Sequence, residues 1–257
     1  MSAVPTIIGK HALVTGGGSG VGKAIALALA GAGVAVTICG RREAALAEVA
    51  KENGRIIGIA ADVTNETEMA TLYQKAEAAR GPFDIVVANA GMAASAPAHK
   101  TSLDDWQRTL NVNLTGAFLT VKPALAEMTA RNTGRIVFVA STAGLKGYAY
   151  VGAYVAAKHG VVGLMRALAA ETARSAVTVN AVCPGFVETD MLEESIQRIV
   201  EKTGRSAADA RRSLSATNPQ GRFIQPDEVA AAVLWLCSDA ARSITGQAIS
   251  ISGGETW

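Results

Sequence analysis

The chain has 257 residues, 49% hydrophobic and 18% charged, and a net charge of +2. That length suits one large α/β domain whose core buries most of its apolar surface. The near-balance of charge argues against a nucleic-acid or membrane surface, and no apolar run reaches the roughly 18 residues of a membrane span. Cys39, Cys183 and Cys237 stand far apart with no paired spacing. They read as small buried hydrophobes in a reducing compartment, so neither a disulfide framework nor a metal site is expected. The N-terminus lacks the basic and apolar blocks of a signal peptide, which leads to the expectation of a soluble, cytoplasmic protein.

Short apolar runs alternate with longer helical patterns. Strands are expected at His11–Thr15, Val34–Cys39, Ile56–Ala61, Ile85–Ala88, Arg135–Ala140, Thr178–Cys183 and Ala248–Ile251. Their near-continuous apolar character fits strands covered on both faces by helices. Helical patterns fall at Lys23–Ala30, Glu43–Glu52, Glu66–Ala79, Leu103–Arg131, Val155–Ala173 and Asp227–Ser238. The alternation predicts a doubly wound parallel sheet of about seven strands with right-handed crossovers. No repeat or linker marks a second domain, so residues 1–257 read as one unit. One stretch breaks the rhythm: residues 186–225 hold two polar helical patterns, Met191–Lys202 and Ala207–Ala216, interrupted at Thr203-Gly204. Excursions of that length inside a domain are usually lids or binding segments.

The first strand runs into Thr15-Gly16-Gly17-Gly18-Ser19-Gly20-Val21-Gly22 and then a helix. Glycines there permit a tight turn and a close backbone approach to a pyrophosphate. The helix N-terminus behind them offers free N–H groups and a positive dipole end. The common Gly-x-Gly-x-x-Gly spacing fits in no register; the pattern is Thr-Gly-x-x-x-Gly-x-Gly, on Gly16, Gly20 and Gly22. Its place between first strand and first helix points to a dinucleotide.

After the second strand, Gly40 stands where an acid would hold a ribose of NAD, and Arg41 and Arg42 follow. An Arg there can pair with a 2′-phosphate, so NADP(H) is expected over NAD(H); the alternative is that both arginines cap a solvated loop. Asp62 and Val63, after the third strand, are candidates to contact adenine. Asn89, Ala90 and Gly91, after the fourth, are candidates to line the cofactor at the sheet's carboxyl edge. Asn89 equally suits a plain turn position.

Tyr154 and Lys158 lie four residues apart, with Ser141 thirteen residues upstream. On a helix that spacing puts phenol and ammonium on one face. A phenol is a poor proton donor or acceptor at neutral pH until a nearby cation favours the phenolate. A Ser hydroxyl close by could orient the carbonyl or alcohol being transformed. The spacing alone also fits a Tyr and a Lys on an ordinary amphipathic helix.

Taken together, Thr15–Gly22, Asn89-Ala90-Gly91, Asn113-Leu114-Thr115-Gly116, Ser141, Tyr154-x-x-x-Lys158 and Pro184-Gly185 resemble the short-chain dehydrogenase/reductase family in order and spacing. The resemblance covers nearly the whole chain and implies a Rossmann-type α/β domain. It implies a tetrad of Asn113, Ser141, Tyr154 and Lys158. Tyr154 would be the general acid in reduction and the base in oxidation. Ser141 would polarise the substrate oxygen, Lys158 would bind the nicotinamide ribose and lower the Tyr154 pKa, and Asn113 would fix a relay water. It also implies cofactor contacts at Pro184, Gly185, Val187 and Thr189, and a homotetramer, with a dimer as the alternative. Ser252 replaces the Asp that many members carry before the closing glycines, a position expected to lie far from the chemistry.

Specificity is expected in Ala93–Ala98, Thr142–Val151 and the lid from Thr189 to Thr217. The stretch from Ser141 to Tyr154 is similar to that of 3-oxoacyl-thioester reductases, 3-hydroxyacyl-CoA dehydrogenases and polyketide ketoreductases. That similarity implies a 3-oxoacyl thioester substrate, carried on CoA or a carrier protein. In the lid, Arg198, Lys202, Arg205, Arg211 and Arg212 could meet phosphates of such an arm. They could equally be solvated helix faces balanced by Glu193, Glu194, Glu201 and Asp209. Lys146 and Tyr148 either touch substrate or border the pocket. A reductase of another secondary alcohol (a sugar, steroid or aryl ketone) and a cofactor-binding regulator without turnover are the other readings.

Overall fold

The structure, a computed structural model, describes Ile7 and residues 9–257. Each expected strand forms within one residue of its expected bounds. They are β1 (His11–Thr15), β2 (Ala35–Gly40), β3 (Ile56–Ala60), β4 (Ile85–Ala88), β5 (Gly134–Val139), β6 (Val177–Pro184) and β7 (Ala248–Ile251). All pairings are parallel, in the order β3-β2-β1-β4-β5-β6-β7. The winding reverses between β1 and β4, which opens a crevice at their carboxyl ends where doubly wound sheets bind ligands.

The helices are α1 (Gly20–Gly31), α2 (Glu43–Glu52), α3 (Glu66–Arg80), α4 (Leu103–Leu110), α5 (Gly116–Ala130), α6 (Gly152–Thr172), α7 (Asp190–Thr203), α8 (Ala207–Ser215) and α9 (Pro226–Leu236). Alternation along each strand sends side chains to opposite faces. Ala12 and Val14 pack with Ile25, Leu29, Val229 and Val233 of α1 and α9. Leu13 between them packs with Leu72, Val121, Met128, Val161 and Met165 of α3, α5 and α6. Burial on both faces explains why the strands read as continuous apolar runs.

One segment departs from expectation. The helix expected over Leu103–Arg131 is interrupted by a π-helical turn at Asn111–Thr115, between α4 and α5. Its backbone stays right-handed, so the apolar periodicity carries through and hides the break; such insertions recur at functional sites. Residues 186–225 form α7 and α8 as expected. Gly204 ends α7 in the left-handed conformation, at φ 69°. These helices enclose a small core of their own, Leu192, Ile196, Ala210 and Phe223.

Candidate active site

The turn after β1 is shaped by contacts that exclude side chains. Gly16 has φ 68° and Gly20 φ 52°, where L side chains are strained. A Cβ on Gly22 would lie 2.2 Å from the Gly16 carbonyl oxygen and 2.5 Å from Asn89 Nδ2, and one on Gly17 would lie 2.6 Å from Ile38. Gly18 is looser, with Ala45 at 3.3 Å. Ser19 caps α1 without a side-chain bond to it; its hydroxyl instead accepts from Arg42 Nη2 at 3.3 Å. Val21 packs inward against the α1 side of the core. The free amide groups at this helix start, beside a cradle a Cβ would fill, suit a pyrophosphate.

Arg41 and Arg42 are exposed at the end of β2. Burial pushes the Asp62 carboxyl up, but hydrogen bonds from the Thr64 backbone and hydroxyl and the charge of Arg41 hold it below its ordinary value. Arg41 and Asp62 therefore share one edge of the crevice. Val63 is buried against Gly116, where a Cβ would come within 2.7 Å.

Asn89 has an identifiable structural job. Its Nδ2 donates to the Thr15 carbonyl at 2.8 Å, and the N–H groups of Asn89 and Ala90 donate to Thr15 Oγ1 at 3.1 and 3.2 Å. Thr15, which the sequence reading left out of the site, thus locks the end of β4 to the glycine turn. Gly91 follows; a Cβ there would lie 2.9 Å from Asn113 Oδ1 and 3.8 Å from Lys158 Nζ.

Asn113, in the π turn, is buried. Its amide donates to the Met92 and Thr109 carbonyls, both at 2.9 Å, and its Oδ1 accepts from Met92 N–H at 3.2 Å. Each of these side-chain bonds goes to backbone. They tie the π turn to the segment that follows β4.

Ser141 follows β5 and caps a 3₁₀ turn, Thr142–Gly144, by accepting from Ala143 N–H at 3.1 Å. Its hydroxyl can also donate, and the Tyr154 phenol lies within its reach. Tyr154 and Lys158 share a face of α6, with Nζ 5.6 Å from the phenol ring centroid. Lys158 is buried and donates to the Val139 carbonyl at 2.8 Å; loss of water around the ammonium pushes its pKa down to about 8. Burial also pushes the Tyr154 phenol up, and the Ser141 hydroxyl offsets part of that rise. The net direction is opposite to the lowering expected from Lys158, because desolvation outweighs the other influences.

Beyond β6, Gly185 N–H donates to Ile251 of β7 at 3.0 Å, which fixes the Pro184-Gly185 turn. Val187 bridges to Ile224. Thr189 is the N-cap residue of α7 and its Cγ2 lies 3.1 Å from a Cβ built on Gly20, so the start of α7 leans on the glycine turn. The three segments expected to set specificity also touch: Lys202 of α7 donates to the Ser95 carbonyl at 2.9 Å, and Ala96 N–H to the Tyr150 carbonyl at 2.8 Å. Tyr150 itself is held at φ 68°, a strained conformation of the kind that clusters at ligand sites. In the lid, Arg198 pairs with Glu194, Arg211 with Glu188 and Glu193, and Arg212 with Asp209. Those pairs favour the balanced-face alternative over a phosphate patch.

The closing segment lies beside the Pro184-Gly185 turn, with Ser252 3.6 Å from a Cβ built on Gly185. Three residues later Glu255 reaches Tyr148 and Lys146 at 2.6 and 3.0 Å. A lone acid over a hundred residues from its partners gave no sequence signal.

The profile of the short chain dehydrogenase family matches residues 10–199. A D-beta-hydroxybutyrate dehydrogenase of Cupriavidus necator is 40% identical over 96% of this chain and 97% of its own length. A cis-4-hydroxycyclohexanecarboxylate dehydrogenase of Sinomonas cyclohexanicum is 39% identical over 95% of this chain and 96% of its own length. Among solved structures, a variant of the actinorhodin polyketide ketoreductase with NADPH superposes with a TM-score of 0.93 at 38% identity, covering 96% of this chain and 97% of the other. With the nucleotide turn, the Ser–Tyr–Lys constellation and nearly end-to-end relatives in agreement, the chain belongs to the short-chain dehydrogenase family of oxidoreductases, which act between secondary alcohols and ketones.

Proposed function

We propose that this protein interconverts a 3-oxoacyl thioester and its 3-hydroxy product, with NADP(H) preferred over NAD(H). The observation that carries the reading is the convergence of Ser141, Tyr154 and Lys158, braced by Asn113 through Met92, on the crevice edge that also holds the glycine turn. The nicotinamide, when bound, supplies or accepts the hydride. Gly16, Gly18, Ser19, Gly20, Val21 and Gly22 form the diphosphate cradle, and Arg41, with Arg42 beside it, faces the 2′-phosphate. Asp62 and Val63 border the adenine. Asn89, Ala90 and Gly91, then Pro184, Gly185, Val187 and Thr189, line the nicotinamide half.

Tyr154 gives its phenolic proton to the carbonyl oxygen during reduction and takes it back in oxidation. Ser141 donates its hydroxyl proton to the same oxygen. Lys158, held by Val139, places a positive charge on the Tyr154 side of the crevice and favours the phenolate as it forms. The segment 186–225 acts as a lid over the substrate, through its contacts with Ser95 and Gly20.

The thioester follows from the Ser141–Tyr154 sequence and from the polyketide ketoreductase among the structural relatives. The name of the cyclohexanecarboxylate relative favours a second reading, a cyclic secondary alcohol. Exposed Leu103, Trp106 and Phe118 on α4 and α5 support association of copies, with a homotetramer as the proposed state in the cytoplasm. The test is turnover of acetoacetyl-CoA with NADPH, run beside NADH and beside cyclohexanone. Faster reduction of the thioester with NADPH is expected. Preference for cyclohexanone would transfer the assignment to the second reading, and no turnover of any carbonyl despite tight cofactor binding would sink both.

A further inference from the structure

Ser141 can serve the reacting oxygen only while its hydroxyl keeps one direction, and the turn that follows it sets that direction. Ser141 Oγ accepts from Ala143 N–H at 3.1 Å, and the Ser141 carbonyl accepts from Gly144 N–H at 2.8 Å. The turn Thr142–Gly144 is buried and seated on α6, since a Cβ on Gly144 would lie 2.8 Å from the Lys158 carbonyl oxygen. These contacts hold the two ends of the turn. The Thr142 side chain between them is held from the far end of the chain.

Thr142 Oγ1 meets the Tyr148 hydroxyl at 2.6 Å, and that hydroxyl donates to Glu255 Oε1 at 2.6 Å. Because the single phenolic proton goes to the carboxylate, Thr142 is the donor in its pair. The hydrogen bonds therefore run one way, from Thr142 to Tyr148 to Glu255. The Glu255 side chain is only 1% exposed, and its second oxygen, Oε2, is buried with no hydrogen-bond partner. The carboxylate thus depends on Oε1, where Lys146 Nζ joins Tyr148 at 3.0 Å. A buried acid held by one oxygen is a weak source of stability compared with an apolar side chain of similar size. Linked hydrogen bonds do fix a geometry, since each polarises the next.

We propose that Glu255 is a positioning residue for Ser141, holding Thr142 through Tyr148 so that the serine hydroxyl stays aimed at the reacting oxygen. The inference rests on the oxidoreductase reading, in which Ser141 donates to that oxygen. It adds a residue of the C-terminal segment that acts only through others. Without the carboxylate the Tyr148 proton turns to Thr142 Oγ1, the pair reverses, and the Ser141 rotamer shifts with the turn. A misplacement of about 1 Å at a reacting group costs roughly 10²-fold in rate. A partial shift of one hydroxyl is expected to cost about tenfold.

The test is the single-turnover rate of NADPH oxidation with acetoacetyl-CoA or cyclohexanone, whichever wild type reduces faster. Glu255→Met and Tyr148→Phe are each expected to slow this step about tenfold. Glu255→Gln, which keeps an acceptor toward Tyr148, is expected to stay within about threefold of wild type. NADPH affinity should change by less than about threefold in all three variants. The deciding comparison is a double-mutant cycle with Ser141→Ala. In that background Glu255→Met and Tyr148→Phe should slow the step by less than about twofold, because the hydroxyl they aim is gone. An equal loss with and without the Ser141 hydroxyl would show a merely structural role and overturn the inference, leaving the oxidoreductase reading intact. Wild-type rates in Glu255→Met or Tyr148→Phe, or a loss of NADPH affinity parallel to the loss of rate, would do the same. An unchanged rate in Ser141→Ala alone would remove the role given to Ser141, and the inference with it. No turnover of either carbonyl by wild type would remove the oxidoreductase reading as a whole.

Discussion

Lys158 Nζ donates to the Val139 carbonyl at 2.8 Å, so the end of β5, rather than the phenol of Tyr154, holds the ammonium in place. The bond orients the charge without neutralising it, and burial pushes the Lys158 pKa down to about 8 from 10.5. Between those values the folded protein binds fewer protons than the unfolded chain, so this group makes stability rise with pH across that window. Below about pH 8 both states are protonated and the cost of the buried charge is constant. The stability difference between wild type and Lys158→Met should therefore shift in favour of wild type, by about 3 kcal/mol in all, as pH rises from 8 to 10.5. Guanidinium unfolding of both proteins at several pH values checks this; a difference independent of pH would show that the ammonium is not desolvated.

Replacing Tyr154 with Phe removes a proton donor and little else, since the ring keeps its place on α6. Turnover should fall by about 10²–10⁴-fold, the usual contribution of general acid–base catalysis. Cofactor affinity, read by fluorescence titration with NADPH, should stay within about threefold, because the hydroxyl is one contact among many. Near-normal kcat in the variant would assign the proton to another group.

Arg41 is exposed, and its charge acts on Asp62 on the same edge of the crevice. Arg41→Ala should raise KM for NADPH on the order of tenfold, with little change for NADH, because only the former carries the 2′-phosphate. Parallel shifts for both cofactors would mean that no such contact exists. Little effect on folding is expected at this exposed loop position.

Gly22→Ala forces a methyl to 2.2 Å from the Gly16 carbonyl, a backbone atom that cannot swing aside. The expected cost is about 1–3 kcal/mol, accompanied by loss of cofactor binding as the turn shifts. Gly31→Ala, at the other end of α1, meets nothing within 4 Å and should be neutral or stabilising by up to about 1 kcal/mol. Urea midpoints for the two variants separate steric from propensity effects; equal midpoints would contradict the tight packing of the turn.

Much of this protein is determined locally. Apolar runs, glycine punctuation and helical periodicity each act over fewer residues than one element, which is why β1, β4, β7 and α2 begin and end where the sequence places them. The nucleotide turn is equally local, because the strain at Gly16 and Gly20 belongs to the residues themselves. Tyr154 and Lys158 share a face by helix geometry alone. The π turn at Asn111–Thr115 was hidden because its residues keep right-handed dihedrals, so the apolar pattern of α4 and α5 runs through it. What Asn89 and Asn113 do was decided by tertiary structure: each side chain binds backbone more than fifteen positions away, at Thr15 and Met92. So was the pKa of Lys158, since desolvation depends on what the sheet and α6 enclose together. The clearest case is Glu255, which no pattern connects to Tyr148 or Lys146. Only the pairing of β6 with β7 brings the C-terminal segment to the loop after β5, because hydrogen bonds between strands join parts of the chain that periodicity along the sequence cannot relate.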